Sequence, residues 1–95
     1  MADDRIDELR KEIDAINEQL LSLIADRQDV SVAIGALKAE RGLPLYSEDR
    51  EARLLEKFRS DAARMDLDPD YVEDLMRVVL QYSRAAQRRK ARDDS

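Results

Sequence analysis

The chain has 95 residues and a formal net charge of −5, and it contains neither cysteine nor histidine. These two absences exclude disulfides, thiol chemistry, histidine-based acid/base catalysis and the usual zinc sites. The acidic balance disfavours nucleic-acid binding, which normally requires a basic face. Charged residues make up 41% and hydrophobic residues 43%, with two glycines and two prolines, a composition typical of long amphipathic helices. We therefore expect an all-α protein.

The first predicted helix is unusually long. Steps of three and four residues from Ile6 to Leu37 meet an aliphatic side chain at nine of ten positions, and Arg27 stands at the tenth. The pattern predicts a helix over about residues 4–41, which Gly42 ends with Pro44 beyond it. Such a helix is ~55 Å long, more than the remaining residues can cover, so that association of copies would complete the core. We call the nine aliphatic residues the seam: Ile6, Leu9, Ile13, Ile16, Leu20, Leu23, Val30, Ile34 and Leu37.

Two shorter helices are predicted to follow. Ser47 suits the N-cap of a second helix over about residues 48–65, and Asp68 with Pro69 suits the start of a third over about 69–90. Together the three helices predict a single domain over residues 1–95. The inner face of the second helix would carry Leu54, Leu55, Phe58, Ala62 and Met65.

The apolar segments also indicate where the protein works. None approaches the roughly 20 residues of a membrane span. The start, MADDRIDEL, lacks the apolar stretch of a secretory signal. We therefore expect a cytoplasmic protein that associates with neither membrane nor nucleic acid.

Polar side chains occupy positions at which the helical pattern favours apolar ones. Lys38 follows Arg27 by eleven residues, a spacing that returns to the same helix face about 16 Å further along. In the third helix an apolar line continues into Ser83 and Gln87, which lie at i and i+4 on one face. In the second helix Arg50 and Glu51 stand beside the apolar face.

Each of these residues has an ordinary structural explanation when it is taken alone. A polar residue at one seam position often sets the register or oligomeric state of a coiled coil. Lys38 could lie at a solvated flank with its stem over apolar surface, and the others could be surface residues. Taken together, inward-facing cations and hydrogen-bonding groups are costly unless an anion satisfies them. The combination therefore favours a small polyanionic ligand held by arginine.

Arg10 joins this set if two chains pair. It precedes Lys38 by ~42 Å along a straight helix, so one chain cannot bring both to one small ligand. If two copies of the first helix pack antiparallel, centred between residues 6 and 37, Arg10 of one chain faces position 33 of the other. That position lies midway between Arg27 and Lys38. A two-fold dimer would then carry two equal sites, each using the partner's Arg10.

Four segments, in this order, resemble the all-helical chorismate mutases of the shikimate pathway: LRKEIDAINEQLLSLIADR, VAIGALK, DREARLLE and YSRAAQ. The similarity covers roughly Ile6 to Arg89. It implies an intertwined homodimer of three-helix chains that converts chorismate to prephenate in aromatic amino acid biosynthesis. The reaction is an intramolecular Claisen rearrangement, which needs no cofactor and no covalent intermediate.

The resemblance also implies roles for the catalytic residues. Arg27 and the partner's Arg10 would hold the two substrate carboxylates. Lys38 would hold a carboxylate and donate to the ether oxygen, and Gln87 would be the second donor to that oxygen. Glu51 would accept a hydrogen bond from the ring hydroxyl.

Three further residues match supporting positions of the family. Ser83 and Arg50 would lie near a substrate carboxylate. Ser47 stands where some members have an aspartate that helps to bind the hydroxyl, and this departure is compatible with activity. Ser47 could cap its helix and still present backbone N–H groups.

Two other functions are compatible with the sequence. An isochorismate–pyruvate lyase shares the fold and much of the cationic clamp, although the combination of Glu51, Ser83 and Gln87 favours the mutase. A non-catalytic helical dimerisation module would use Arg27 only to set register. A regulatory complex with another enzyme of the shikimate pathway is compatible with either enzymatic interpretation.

Overall fold

Three α-helices make up the computed structural model, which describes residues 2–93. Helix α1 spans Ala2–Glu40, α2 spans Glu48–Arg64 and α3 spans Pro69–Asp93, and no strand occurs within this range. The predicted all-helical class with three helices is confirmed. Met1 and residues 94–95, which the predicted domain includes, lie outside the described residues. In the described range no helix combines the length and apolarity needed to cross a bilayer.

Helix α1 ends in a Schellman motif. The N–H of Leu43 donates to the carbonyl of Lys38 at 2.8 Å, and the N–H of Gly42 donates to the carbonyl of Ala39 at 3.2 Å. This closure requires a left-handed residue, and Gly42 has a φ of 68°. With the bond from the N–H of Arg41 to the carbonyl of Leu37, the chain itself therefore satisfies the carbonyls of Leu37, Lys38 and Ala39.

Helix α2 ends in the same way, but without glycine. Asp66 takes the left-handed conformation, with a φ of 59°, and the N–H of Leu67 donates to the carbonyl of Ala62 at 2.8 Å. Helix α3 then begins at once, because the Asp68 carboxylate accepts the N–H of Asp70 at 2.9 Å and Pro69 is the first helical residue. Two helices are thus joined by a very short turn.

The described chain divides between Val30 and Ser31 into two compact units, which we call the N-terminal and C-terminal units. The N-terminal unit is helical from Ala2 to Val30. Its seven seam residues, from Ile6 to Val30, are exposed by between 42% and 66%. The N-terminal unit therefore carries a long, exposed apolar stripe.

The C-terminal unit contains the last part of α1 together with α2 and α3. Helices α2 and α3 pack against each other, and the buried apolar residues are Leu55, Ala62, Leu80 and Ala86. Met65, which was expected on the inner face of α2, is 65% exposed. The expectation is wrong because Met65 is the C-cap residue, at which the helix is already turning away.

An ion pair also joins α2 to α3. The Arg59 guanidinium donates to Asp70 at 2.8 Å and to Glu73 at 3.2 Å. The hydrogen bond to Asp70 raises the pKa of Arg59 above its ordinary value. Because the group is solvated, the pair orients the two helices more than it stabilises them.

Candidate active site

Gln87 is buried on α3 with its amide directed at α1. The side chain is 9% exposed, and Nε2 donates to the carbonyl oxygen of Ser31 at 2.8 Å and to its Oγ at 3.2 Å. A backbone carbonyl can only accept, so this contact fixes which end of the amide is the donor. An ordinary surface glutamine, the structural explanation open from the sequence, is thereby excluded.

Gly35 allows α3 to come this close to α1. A Cβ atom at Gly35 would lie 2.8 Å from Cγ and 3.0 Å from Cβ of Gln87. At these distances α1 or the Gln87 side chain would have to shift. Glycine inside a helix costs ~0.5–1 kcal/mol relative to alanine. The close approach of Gln87 explains why glycine occupies this position in spite of that cost.

Lys38 lies one turn beyond Gly35, on the same side of α1. Its side chain is half-buried, and its backbone carbonyl is held in the Schellman motif described above. The donor Nε2 of Gln87 meets α1 at Ser31, seven residues or about two turns before Lys38.

Glu51 lies in the first turn of α2 and contacts α3 through an arginine. Its Oε2 accepts a hydrogen bond from Nη1 of Arg84, and the Arg84 guanidinium lies over the Tyr46 ring, 4.6 Å from its centroid. Ser83, next to Arg84, is buried, with 9% of its surface exposed. Neither Arg84 nor Tyr46 was among the sequence-predicted residues. The signal that could have found Arg84 is its position three residues before Gln87 on one helix face.

Ser47 and Arg50 form the start of α2. Ser47 is the N-cap, and its Oγ accepts the backbone N–H of Arg50 at 3.3 Å. The cap that the sequence predicts is confirmed. Both side chains are otherwise exposed, so their hydrogen-bonding groups are open to solvent or to a ligand.

Arg10 and Arg27 belong to the N-terminal unit. Arg10 is exposed, whereas Arg27 is half-buried. Six residues of the predicted set belong to the C-terminal unit: Lys38, Ser47, Arg50, Glu51, Ser83 and Gln87.

A groove of about 560 Å³ between α2 and α3 also reaches Glu51. Its walls carry four carboxylates, and its two arginines, Arg59 and Arg77, are both paired with Glu73. A dianion would meet predominantly like charge there. This groove is therefore not the place at which a polyanionic ligand would bind.

Comparison with known proteins agrees with these features. Residues 9–88 match the family described as chorismate mutase type II. The chain is 37% identical over 75 residues to the T-protein of Enterobacter agglomerans, which covers 79% of this chain and 20% of that protein. It is 33% identical over 75 residues to the bifunctional chorismate mutase/prephenate dehydratase of Escherichia coli K12, with 79% of this chain and 19% of that protein covered.

A third relative has nearly the same length. The chain is 24% identical over 85 residues to the chorismate mutase of Methanocaldococcus jannaschii, which covers 90% of this chain and 86% of that protein. By contrast, it spans about a fifth of the T-protein and of the bifunctional enzyme. Since the family match extends over most of the sequence and over all three helices, the chain belongs to the chorismate mutase type II family.

Proposed function

We propose that the chain is a chorismate mutase domain that converts chorismate to prephenate in aromatic amino acid biosynthesis, in the cytoplasm. The observation that carries this proposal is the family match over residues 9–88. The geometry of the C-terminal unit supports it, because a buried amide donor, an ammonium group and a carboxylate lie on its three helices. The name of the Escherichia coli relative, which joins the mutase to a prephenate dehydratase, supports the assigned pathway.

In this rearrangement the C–O bond of the ether breaks as a new C–C bond forms, and negative charge grows on the ether oxygen. Lys38 and Gln87 donate to that oxygen. Catalysis then consists of holding a reactive conformation and stabilising the developing charge. A donor of this kind contributes ~3–4 kcal/mol in comparable sites.

The contacts of Gln87 indicate how it donates. The shorter bond, to the Ser31 carbonyl at 2.8 Å, anchors one N–H. The longer bond, to the Ser31 hydroxyl at 3.2 Å, is the one that the ether oxygen replaces. Ser31 therefore orients the amide before the substrate arrives.

The remaining residues of the C-terminal unit bind the rest of the substrate. Glu51 accepts a hydrogen bond from the ring hydroxyl, and the exposed N-cap of α2 at Ser47 lies near that group. Ser83 and Arg50 support a carboxylate. The buried position of Ser83 favours a role for its hydroxyl beyond that of a solvated surface residue.

The proposal includes an intertwined homodimer in which Arg27 of one chain and the partner's Arg10 hold the two carboxylates. It is supported by the exposure of the seam, whose nine residues are 42% to 66% exposed. Burying a large aliphatic side chain contributes ~1.5–3 kcal/mol, so a second copy of α1 packed antiparallel would gain substantial stability. Tyr71, Leu75, Val78 and Tyr82, exposed at helical spacing on α3, offer further apolar surface to the same partner.

Loss of chorismate absorbance and formation of prephenate with purified protein test the activity directly. Parallel incubation with isochorismate, followed by detection of salicylate, tests the lyase. We expect prephenate from chorismate. Salicylate without prephenate would overturn the proposal.

Lys38→Ala tests the assigned donor. We expect kcat/KM to fall by at least about 100-fold, since a donor to the developing charge is lost. Lys57→Ala is the matched control, because Lys57 is an exposed lysine on α2 whose ion-pair partner, Asp61, lies one turn away on the same helix. Near-normal turnover of the Lys38 variant would contradict the assignment.

A further inference from the structure

Arg84 connects three parts of the C-terminal unit. It lies on α3, its Nη1 donates to Glu51 in the first turn of α2, and its guanidinium covers the ring of Tyr46 in the segment before α2. Gln87 follows it by one helical turn. One side chain thus links the proposed hydroxyl acceptor to the helix that carries the proposed ether-oxygen donor.

This ion pair differs from the surface pairs of the chain. The side chains of Arg84 and Glu51 are 28% and 19% exposed, and they are 33 residues apart in sequence. Arg77 and Glu73, by comparison, are one turn apart on α3, and Arg77 is 58% exposed. A half-buried pair between distant segments fixes tertiary geometry, whereas an exposed local pair does little.

Tyr46 restricts where the guanidinium can lie. With Cζ held 4.6 Å from the ring centroid, the guanidinium donates from Nη1 to Oε2 of Glu51. A lysine could supply charge at this position, but its ammonium group lacks the planar surface and the fixed donor directions of a guanidinium.

We propose that Arg84 is a positioning residue that orients the Glu51 carboxylate for the substrate hydroxyl, an inference that rests on the function proposed above. Arg84 holds Oε2, and Oε1 accepts the hydrogen bond from the ring hydroxyl of chorismate. Without Arg84 the Glu51 side chain samples several rotamers, and part of the binding energy is spent in ordering it. Arg84 therefore affects the affinity for substrate more than the rate at which bound substrate reacts.

The test compares Arg84→Met and Arg84→Lys with the wild type in the chorismate assay. We expect Arg84→Met to raise KM about tenfold with kcat changed less than about threefold. The KM of Arg84→Lys should lie between those of the wild type and Arg84→Met. Arg77→Met is the matched control and is expected to behave as the wild type. Thermal unfolding of each variant reports whether the fold is retained.

A double-mutant cycle separates positioning from a general structural effect. In a Glu51→Gln background, Arg84→Met should add little further change in KM, because both residues act through one contact. Tyr46→Phe should preserve KM, whereas Tyr46→Leu should reproduce part of the Arg84→Met effect. Equal effects of Arg84→Met in both backgrounds would overturn the inference.

The outcomes also distinguish this inference from the proposed function. If the wild type forms prephenate and Glu51→Gln raises KM while Arg84→Met matches Arg77→Met, only the inference about Arg84 fails. If the wild type does not act on chorismate, the proposed function fails first and the inference fails with it.

Discussion

Gln87 is the residue whose surroundings are most informative. Its Nε2 meets both the carbonyl and the hydroxyl of Ser31, and its side chain carbons lie against Gly35. A buried amide in such contacts has a single orientation. That orientation requires no substrate to induce it, which is a property expected of a preorganised electrostatic catalyst.

Gln87→Glu should make activity depend on pH. A carboxylate cannot donate to the ether oxygen and would face the Ser31 carbonyl, so only the protonated acid is functional. Burial raises the pKa of a carboxyl above its usual range, and we expect activity to rise as pH falls through that raised value. The free energy of unfolding should also rise as pH falls. The pKa of this carboxyl is higher in the folded than in the unfolded state, so its ionisation at higher pH destabilises the folded state.

The pH profile of kcat/KM for this variant and for the wild type is the measurement. The wild type, whose amide does not titrate, supplies the control profile. A flat profile for the Gln87→Glu enzyme would contradict the role of Gln87.

The sequence predicts only some of the residues that surround Gln87 and Glu51. Gln87 and Ser83 stand out because they interrupt an apolar helical line. Ser31, Arg84 and Tyr46 do not, since each is compatible with an ordinary helix or turn surface. Their importance arises from contacts between segments 33 or 56 residues apart, which local periodicity does not report.

At the scale of the elements, local chemistry determines most helix ends. Ser47, Gly42 and the Asp68–Pro69 pair act within one turn of the chain, so their capping roles can be predicted from sequence. The end of α2 is less evident, because aspartate at position 66 takes the left-handed conformation usually given to glycine. For the same reason the inward direction expected for Met65 is wrong.

Gly35→Ala tests the contact between α1 and α3. Alanine favours the helix by ~0.5–1 kcal/mol, but its Cβ would lie 2.8 Å from Cγ of Gln87. We expect the clash to dominate, with a net loss of ~1–3 kcal/mol as in other overpacked sites, and with a fall in kcat as the amide moves. Denaturant unfolding and steady-state kinetics measure the two effects.

Ala36→Gly is a useful control for this experiment. It changes helix propensity at the next, exposed position without touching Gln87, and should lower stability modestly with kcat unchanged. If Gly35→Ala were more stable than the wild type and fully active, the packing argument would be wrong.

At the scale of the whole molecule, the seam and its one arginine are the main feature. Arg27→Leu completes the apolar row along α1, so we expect a higher unfolding temperature and a tighter dimer. Activity should fall by at least about 100-fold, because a carboxylate ligand is lost. A non-catalytic dimerisation module would show the gain in stability with no activity to lose.

Sedimentation and kinetics on the same samples check this prediction. Gln28→Leu is the matched control, because it adds a leucine at the neighbouring exposed position, off the seam. It should change neither the association nor the activity. A stable wild-type monomer with full activity would contradict the dimer itself.

The exposed seam has a genetic consequence if it joins two chains as proposed. Each site would then take Lys38 from one polypeptide and Arg10 from the other, and two different defects need not fall in the same site. When chains carrying Arg10→Ala are mixed and reassembled with chains carrying Lys38→Ala, half of the dimers are hybrids, and each hybrid has one intact site and one doubly defective site. Two inactive polypeptides would thus complement each other to about a quarter of wild-type activity.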